Sequence, residues 1–167
     1  MIFMGKIAIL YERILSTMAL ISGIMVGFMM LAVSYSVIMR RLFNNPSAWV
    51  MEVTTYLLLY IAFLGAPWLL RHGGHVNIDL LLNRLSPGKQ TVINIITLSM
   101  GFVISMLLFL YGFEVTLDHF QRNVEIMSIL STPKYLLLAV IPLGTLFLVF
   151  EFARQTVLAV RRLKSTI

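Results

Sequence analysis

Charged residues in this chain cluster between four long apolar runs, and that alternation is its strongest signal. No charge appears from Ile14 to Met39, and the later runs lie within Val53 to Leu70, Thr91 to Phe113 and Tyr135 to Phe150. They predict helices over about 14–39, 46–71, 89–118 and 133–158, each able to cross a hydrocarbon layer about 30 Å thick at a rise of about 1.5 Å per residue. The expected fold is an all-α integral membrane protein, with residues 1–167 forming a single four-helix domain.

The breaks between the runs carry ordinary stop and start signals. Arg40 and Arg41 end the first run, and Asn44-Asn45-Pro46 makes a turn in which Asn45 caps and Pro46 opens the second helix. Pro67 removes one backbone hydrogen bond near that helix's end, and Gly73-Gly74 stops it through positive φ. Ile78, Leu81, Leu82 and Leu85 then recur at helical spacing among Asp79, Asn83 and Arg84, which predicts a short amphipathic helix lying on the membrane. Ser86-Pro87-Gly88 breaks it. Glu114, Asp118 and Arg122 sit four apart beyond the third run, so the helix should outlast the bilayer, with Asp118 pairing to Arg122 across one turn. Thr132-Pro133 caps the fourth helix, Pro142 bends it, and Glu151 with Arg154 marks its exit.

Composition sharpens this picture. Hydrophobic residues make up 59% of the chain and charged ones 12%, against about 25% charged in an ordinary soluble domain. The net charge of +6 would suggest nucleic acid in a soluble protein, but here the basic residues flank apolar runs, where they snorkel and set orientation, so nucleic acid is excluded. The first run exceeds a signal-peptide core and should remain as an anchor. The lead, the loop after the second helix and the tail from Arg154 hold nine of the 13 Lys and Arg residues. Both termini and the Arg71 to Lys89 loop should therefore be cytoplasmic.

Candidate chemistry is sparse. Glu52 lies about 9 Å inside its helix at 1.5 Å per residue, deep enough to want a cation, and Arg40 or Arg41 across the turn is nearest. Trp49 sits at interface depth. Gly23 and Gly27, with Ala19, share one face of the first helix, and Gly101 and Ser105 share one face of the third; both are candidate packing seams. His72, His75 and His119 are expected in loops, the first two on the opposite side from the third, so they cannot clamp a haem. Cysteine is absent. No catalytic arrangement, metal set or cofactor site emerges, and the chain does not read as an enzyme. The middles of all four helices lack charge, whereas a stand-alone secondary transporter carries ionisable groups or broken helices there. The pattern points to an accessory membrane subunit.

Arg40, Asn45-Pro46, Trp49, Glu52, the Tyr56 to Pro67 run with Phe63-Leu64-Gly65-Ala66, and His75-Val76-Asn77-Ile78-Asp79 follow in an order and spacing that resembles the DctQ-like small membrane subunit of tripartite ATP-independent periplasmic (TRAP) transporters. The resemblance covers nearly the whole chain. Arg41 stands where the family pattern often has an aromatic residue, which alters local packing but not the architecture. The resemblance implies a bacterial inner-membrane protein working beside two partners, a large multi-helix DctM-like subunit and a periplasmic substrate-binding protein, with phospholipid around its helices. The system would import an organic anion, such as sialic acid or a C4-dicarboxylate, by symport with sodium, the sodium being coupled on the large subunit. The small subunit would scaffold the moving one and help dock the binding protein, with Arg40, Trp49 and Glu52 stabilising the outer turn.

Two other readings stay open at this point. A homodimeric, proton-coupled small exporter working through Glu52 fits the helix count, though the chain's length, amphipathic loop and the position of Glu52 near a helix end suit it less. A respiratory-enzyme anchor lacks the intramembrane histidines that haem ligation requires.

Overall fold

The computed structural model describes residues 2–45, 47–73, 87–122 and 132–166. Four helices account for nearly all of them: α1 (Ile2–Phe43), α2 (Ala48–Arg71), α3 (Pro87–Gln121) and α4 (Lys134–Thr166). Each contains a stretch long and apolar enough to cross a membrane. The amphipathic helix expected over 76–85, His75, Asp79, Pro46 and the 123–130 connection lie outside the described residues.

The helices run further than the apolar stretches. α1 has 42 residues, about 63 Å at 1.5 Å each, so the polar lead continues the membrane helix. Hydrophobicity marks where lipid begins, whereas helical hydrogen bonding extends into water until a residue breaks it. Asn44 supplies that break at φ 49°, a left-handed conformation that asparagine tolerates better than most residues. Helix α2 starts two residues later than the Asn45-Pro46 pattern predicts, with Ser47 at the N-cap position and no side-chain cap hydrogen bond. Its end matches expectation, Gly73 taking φ 73° just past the last turn. The expected ion pair also forms, with Arg122 Nε donating to Asp118 Oδ1 at 2.7 Å.

Side-chain spacing dictates how the helices pack. On α1, Leu15, Met18, Ser22 and Ala32 are buried and Met25, Met29 and Ser36 half-buried. On α3, Leu98 and Ser105 are buried, with Ile95, Phe102, Phe109, Gly112 and Thr116 half-buried along the same face. Both series step alternately by three and four, the spacing that keeps two helices in contact along their length. α1 lies on α2, α2 on α4, and α4 on α3. The chain therefore packs in the order α1, α2, α4, α3, with α4 interior and α1 and α3 at the edges. Leu70, Leu98, Phe152 and Ala159 form a buried cluster where α2, α3 and α4 meet. The edges are lined by exposed leucine, isoleucine, valine and phenylalanine, which lipid accepts as readily as a protein core does.

Close backbone approach is concentrated at three glycines. A Cβ on Gly101 would overlap the Phe152 ring of α4, and one on Gly112 would come within 2.9 Å of Ile141 Cγ2. One on Gly144 would strike the Phe63 carbonyl oxygen of α2 and come within 2.7 Å of Phe63 Cβ. That carbonyl is the one Pro67, four residues on, cannot hydrogen-bond because proline has no N–H. The helix defect and the glycine thus meet at one crossing.

Gly144→Ala should cost about 1–3 kcal/mol, because the atom that must yield is backbone. Gly23→Ala should be neutral or stabilising, since nothing lies within 4 Å of an added Cβ there and alanine is the better helix former. Thermal unfolding of the purified variants in one detergent checks the contrast; equal melting temperatures would show the α2–α4 crossing to be misplaced.

Candidate functional site

Polar chemistry among the described residues gathers where the first turns of α1, the end of α2 and the middle of α4 converge. Its centre is Glu151 on α4, whose side chain is 0% exposed. An isolated carboxylate buried this way would be very costly, and the neighbouring residues supply what it needs. From the next turn of α4, Arg154 donates from Nη2 to Oε1 at 2.6 Å and from Nε to both oxygens at 3.2 Å. Gln155 Nε2 donates to Oε1 at 3.1 Å, and Arg71 Nη1 of α2 stands 3.6 Å from Oε2.

Arg71 also carries the network to α1. Its Nη2 pairs closely with Glu12, and its guanidinium lies 5.2 Å from the Tyr11 ring centroid, a cation–π geometry. Tyr11 donates to the Phe147 carbonyl of α4 at 3.4 Å. Gln155 donates to the Leu70 carbonyl at 2.9 Å, satisfying one of the acceptors that a helix end leaves open. His72, at the C-cap of α2, stacks on Trp68 and places Nε2 3.7 Å from Glu12 Oε1. Two carboxylates and two guanidiniums thus bind three helices into one unit, which we call the clasp. Most of its donors are spent on its own acceptors, so its chemistry is to hold helices in register.

The residues singled out from sequence lie elsewhere. Arg40 is exposed at the end of α1, and Trp49, on the first turn of α2, faces Tyr35 with ring centroids 6.3 Å apart. Glu52 is half-buried and accepts a 2.6 Å hydrogen bond from Tyr56 Oη. Gly23 and Gly27 are exposed on α1 with open space around them, while Gly101 and Ser105 face α4 within the chain. His119 is not in a loop but inside α3, its Nδ1 2.8 Å from the Val115 carbonyl. The helix of the third run continues through the polar stretch past Phe113 by enough turns to include it.

The clasp was missed because each member reads as an ordinary charge at a helix end. The available signal was the sign: Glu12 and Glu151 are acids in helix-flanking segments where cations dominate. Glu151, Arg154 and Gln155 also share one helix face by spacing.

Comparison with known proteins fixes the family. The model for the DctQ component of tripartite ATP-independent periplasmic transporters matches residues 29–162. The chain belongs to the DctQ family. That family is a transporter membrane component, not an enzyme. Its match takes in Arg71, Glu151, Arg154 and Gln155 but stops short of Tyr11 and Glu12. The C4-dicarboxylate TRAP transporter small permease DctQ of Rhodobacter capsulatus is 29% identical over 104 residues, covering 62% of this chain and 45% of that one. The sialic acid TRAP transporter small permease SiaQ of Vibrio cholerae is 26% identical over 115 residues, covering 67% and 63%. A Haemophilus influenzae protein provisionally named a TRAP transporter small permease is 31% identical over 98 residues, covering 56% and 60%. The matched stretch thus spans 45 to 63% of these relatives' lengths. With its four apolar helices, this DctQ-family chain is a multi-pass inner-membrane protein.

Arg71→Ala should cost about 3 kcal/mol, since it strips a cation from a buried carboxylate. Glu12→Gln should cost less than about 1 kcal/mol because that carboxylate is 38% exposed and water screens it. Denaturant unfolding in mixed micelles measures both, and similar costs would mean that the clasp is not organised around Glu151.

Proposed function

We propose that this chain is the scaffolding small subunit of a sodium-driven TRAP importer of an organic anion, of the carboxylate class that includes C4-dicarboxylates and sialic acid. It enlarges the fixed part of a large DctM-like subunit in the membrane and contributes to the surface on which a periplasmic binding protein docks. Both termini and the clasp face the cytoplasm, and the Asn44-Asn45 turn faces outward with Arg40, Trp49 and Glu52 around it.

The observation that carries this reading is the separation of polar chemistry from the membrane's middle. The described ion pairs flank the apolar runs without entering them, and through Arg71 they tie α2 to Glu12 of α1 and Glu151 of α4. The charge-free apolar runs of the four helices offer nothing with which to strip an anion or sodium of its water. A chain built this way contributes position and rigidity, and the ion-coupled step belongs to a partner. The names of the relatives support the carboxylate class, and the excess of Lys and Arg in the lead, the loop after α2 and the tail supports the orientation.

Sodium-gradient-driven uptake in proteoliposomes tests it, with the binding protein supplied and the membrane holding this chain, its large partner, or both. Uptake is expected only with both. Transport by this chain alone, abolished by Glu52→Gln, would overturn the scaffold reading in favour of a self-contained carrier. Charge reversal at Glu52 is expected to weaken assembly; unchanged assembly and uptake would remove that residue from the outer turn's role.

A further inference from the structure

The clasp leaves part of Arg154 unused. Its Nε and Nη2 are committed to Glu151, while Nη1 has no partner among the described residues and the side chain is 44% exposed. Glu151 therefore does more than neutralise this arginine: it fixes the guanidinium at the surface of α4 in one orientation. Arg161 is exposed seven residues further along the same line of the helix. Side chains on a helix lean toward its N-terminus, so Arg161 reaches back toward Arg154. On the other side of Arg154 the line continues as exposed Phe150, Leu146 and Leu143. This stripe is an exposed side of α4, bordering the contact of Phe147 with Tyr11 of α1, and Phe150 within it is 58% exposed.

From Leu143 to Arg154 is about 16 Å at 1.5 Å per residue, close to half of a hydrocarbon core of about 30 Å. The stripe thus has one leaflet's depth of apolar surface ending in two cations at headgroup level. We propose that it is a binding site for one anionic phospholipid, whose phosphate diester meets Arg154 and Arg161 and whose acyl chain lies along Phe150, Leu146 and Leu143. A zwitterionic lipid fits the apolar part equally well, but its own cation opposes the arginines, so selectivity resides in the headgroup. The site follows from the geometry of α4 and does not depend on which way the chain is inserted.

Native mass spectrometry reads this directly on the purified chain, together with whatever membrane partner it retains, released from micelles holding equal phosphatidylglycerol and phosphatidylcholine with identical tails. Each arginine near an anionic headgroup contributes about a fivefold preference, so phosphatidylglycerol should be retained about twenty-five-fold over phosphatidylcholine. Arg161→Gln, which spares the bonds between Arg154 and Glu151, should reduce that ratio about fivefold. Phe150→Ala should lower retention of both lipids and leave their ratio unchanged. Equal retention of the two lipids by the wild type, or an unchanged ratio in Arg161→Gln, would overturn the proposal. So would photocrosslinking from position 150 in native membranes that captured a protein helix in place of lipid.

Discussion

A carboxylate with no access to water organises one end of this molecule. Arg154, Gln155 and Arg71 supply the partners of the Glu151 carboxylate, and Arg71 belongs to another helix. Arg71 in turn holds Glu12 and covers Tyr11 on a third. Losing α2 from this end would leave a buried charge under-compensated, which costs more than any one surface pair contributes. The clasp thus makes the positions of three helices conditional on one another.

Elsewhere the helices must associate without much help from hydrophobicity, because lipid tails are as apolar as leucine. The structure meets that difficulty by removing atoms. Gly101 and Gly112 let α3 close on α4, and Gly144 lets α4 touch the backbone of α2. At the last of these, Pro67 has freed the Phe63 carbonyl from its usual intrahelical donor, and a Cα–H against such an oxygen is weakly favourable. Tyr60 adds a conventional bond across the same pair of helices, donating to the Leu136 carbonyl at 2.8 Å. Proline and glycine, poor helix residues each, cooperate here because they occur on facing surfaces.

Much of this was legible beforehand and some was not, for one physical reason. Crossing a membrane is a property of consecutive residues, so charge-free runs such as Ile14 to Met39 announced the four helices, and Gly73 announced the end of α2. The Asp118–Arg122 pair was equally local. Contacts between helices depend on which helices are neighbours and on their rotation, which no single run encodes. Gly23, Gly27, Gly101 and Ser105 looked alike by spacing, yet only the last two face another helix of the chain. Gly144 was invisible because its partner, the Phe63 carbonyl, leaves no mark in a side-chain pattern. The clasp joins residues 12, 71 and 151, each of which alone suits a solvated helix end.

The distribution of rigidity bears on how such a chain serves a transporter. A component that moved substrate would need two packings of similar energy, and buried ion networks with close glycine contacts work against that, since packed interiors resist continuous deformation. α1, α2 and α4 share the clasp, and α3 is keyed to α4 by Gly101 and Gly112, so the four helices are built to move as one body. Their remaining apolar surface lies on the two edge helices, along one stripe of α4 and at Met51, Leu58 and Leu69 of α2. In the proposed scaffold role, a rigid element of this kind would act through what it excludes, keeping lipid and neighbouring helices at fixed distances while another component changes shape beside it.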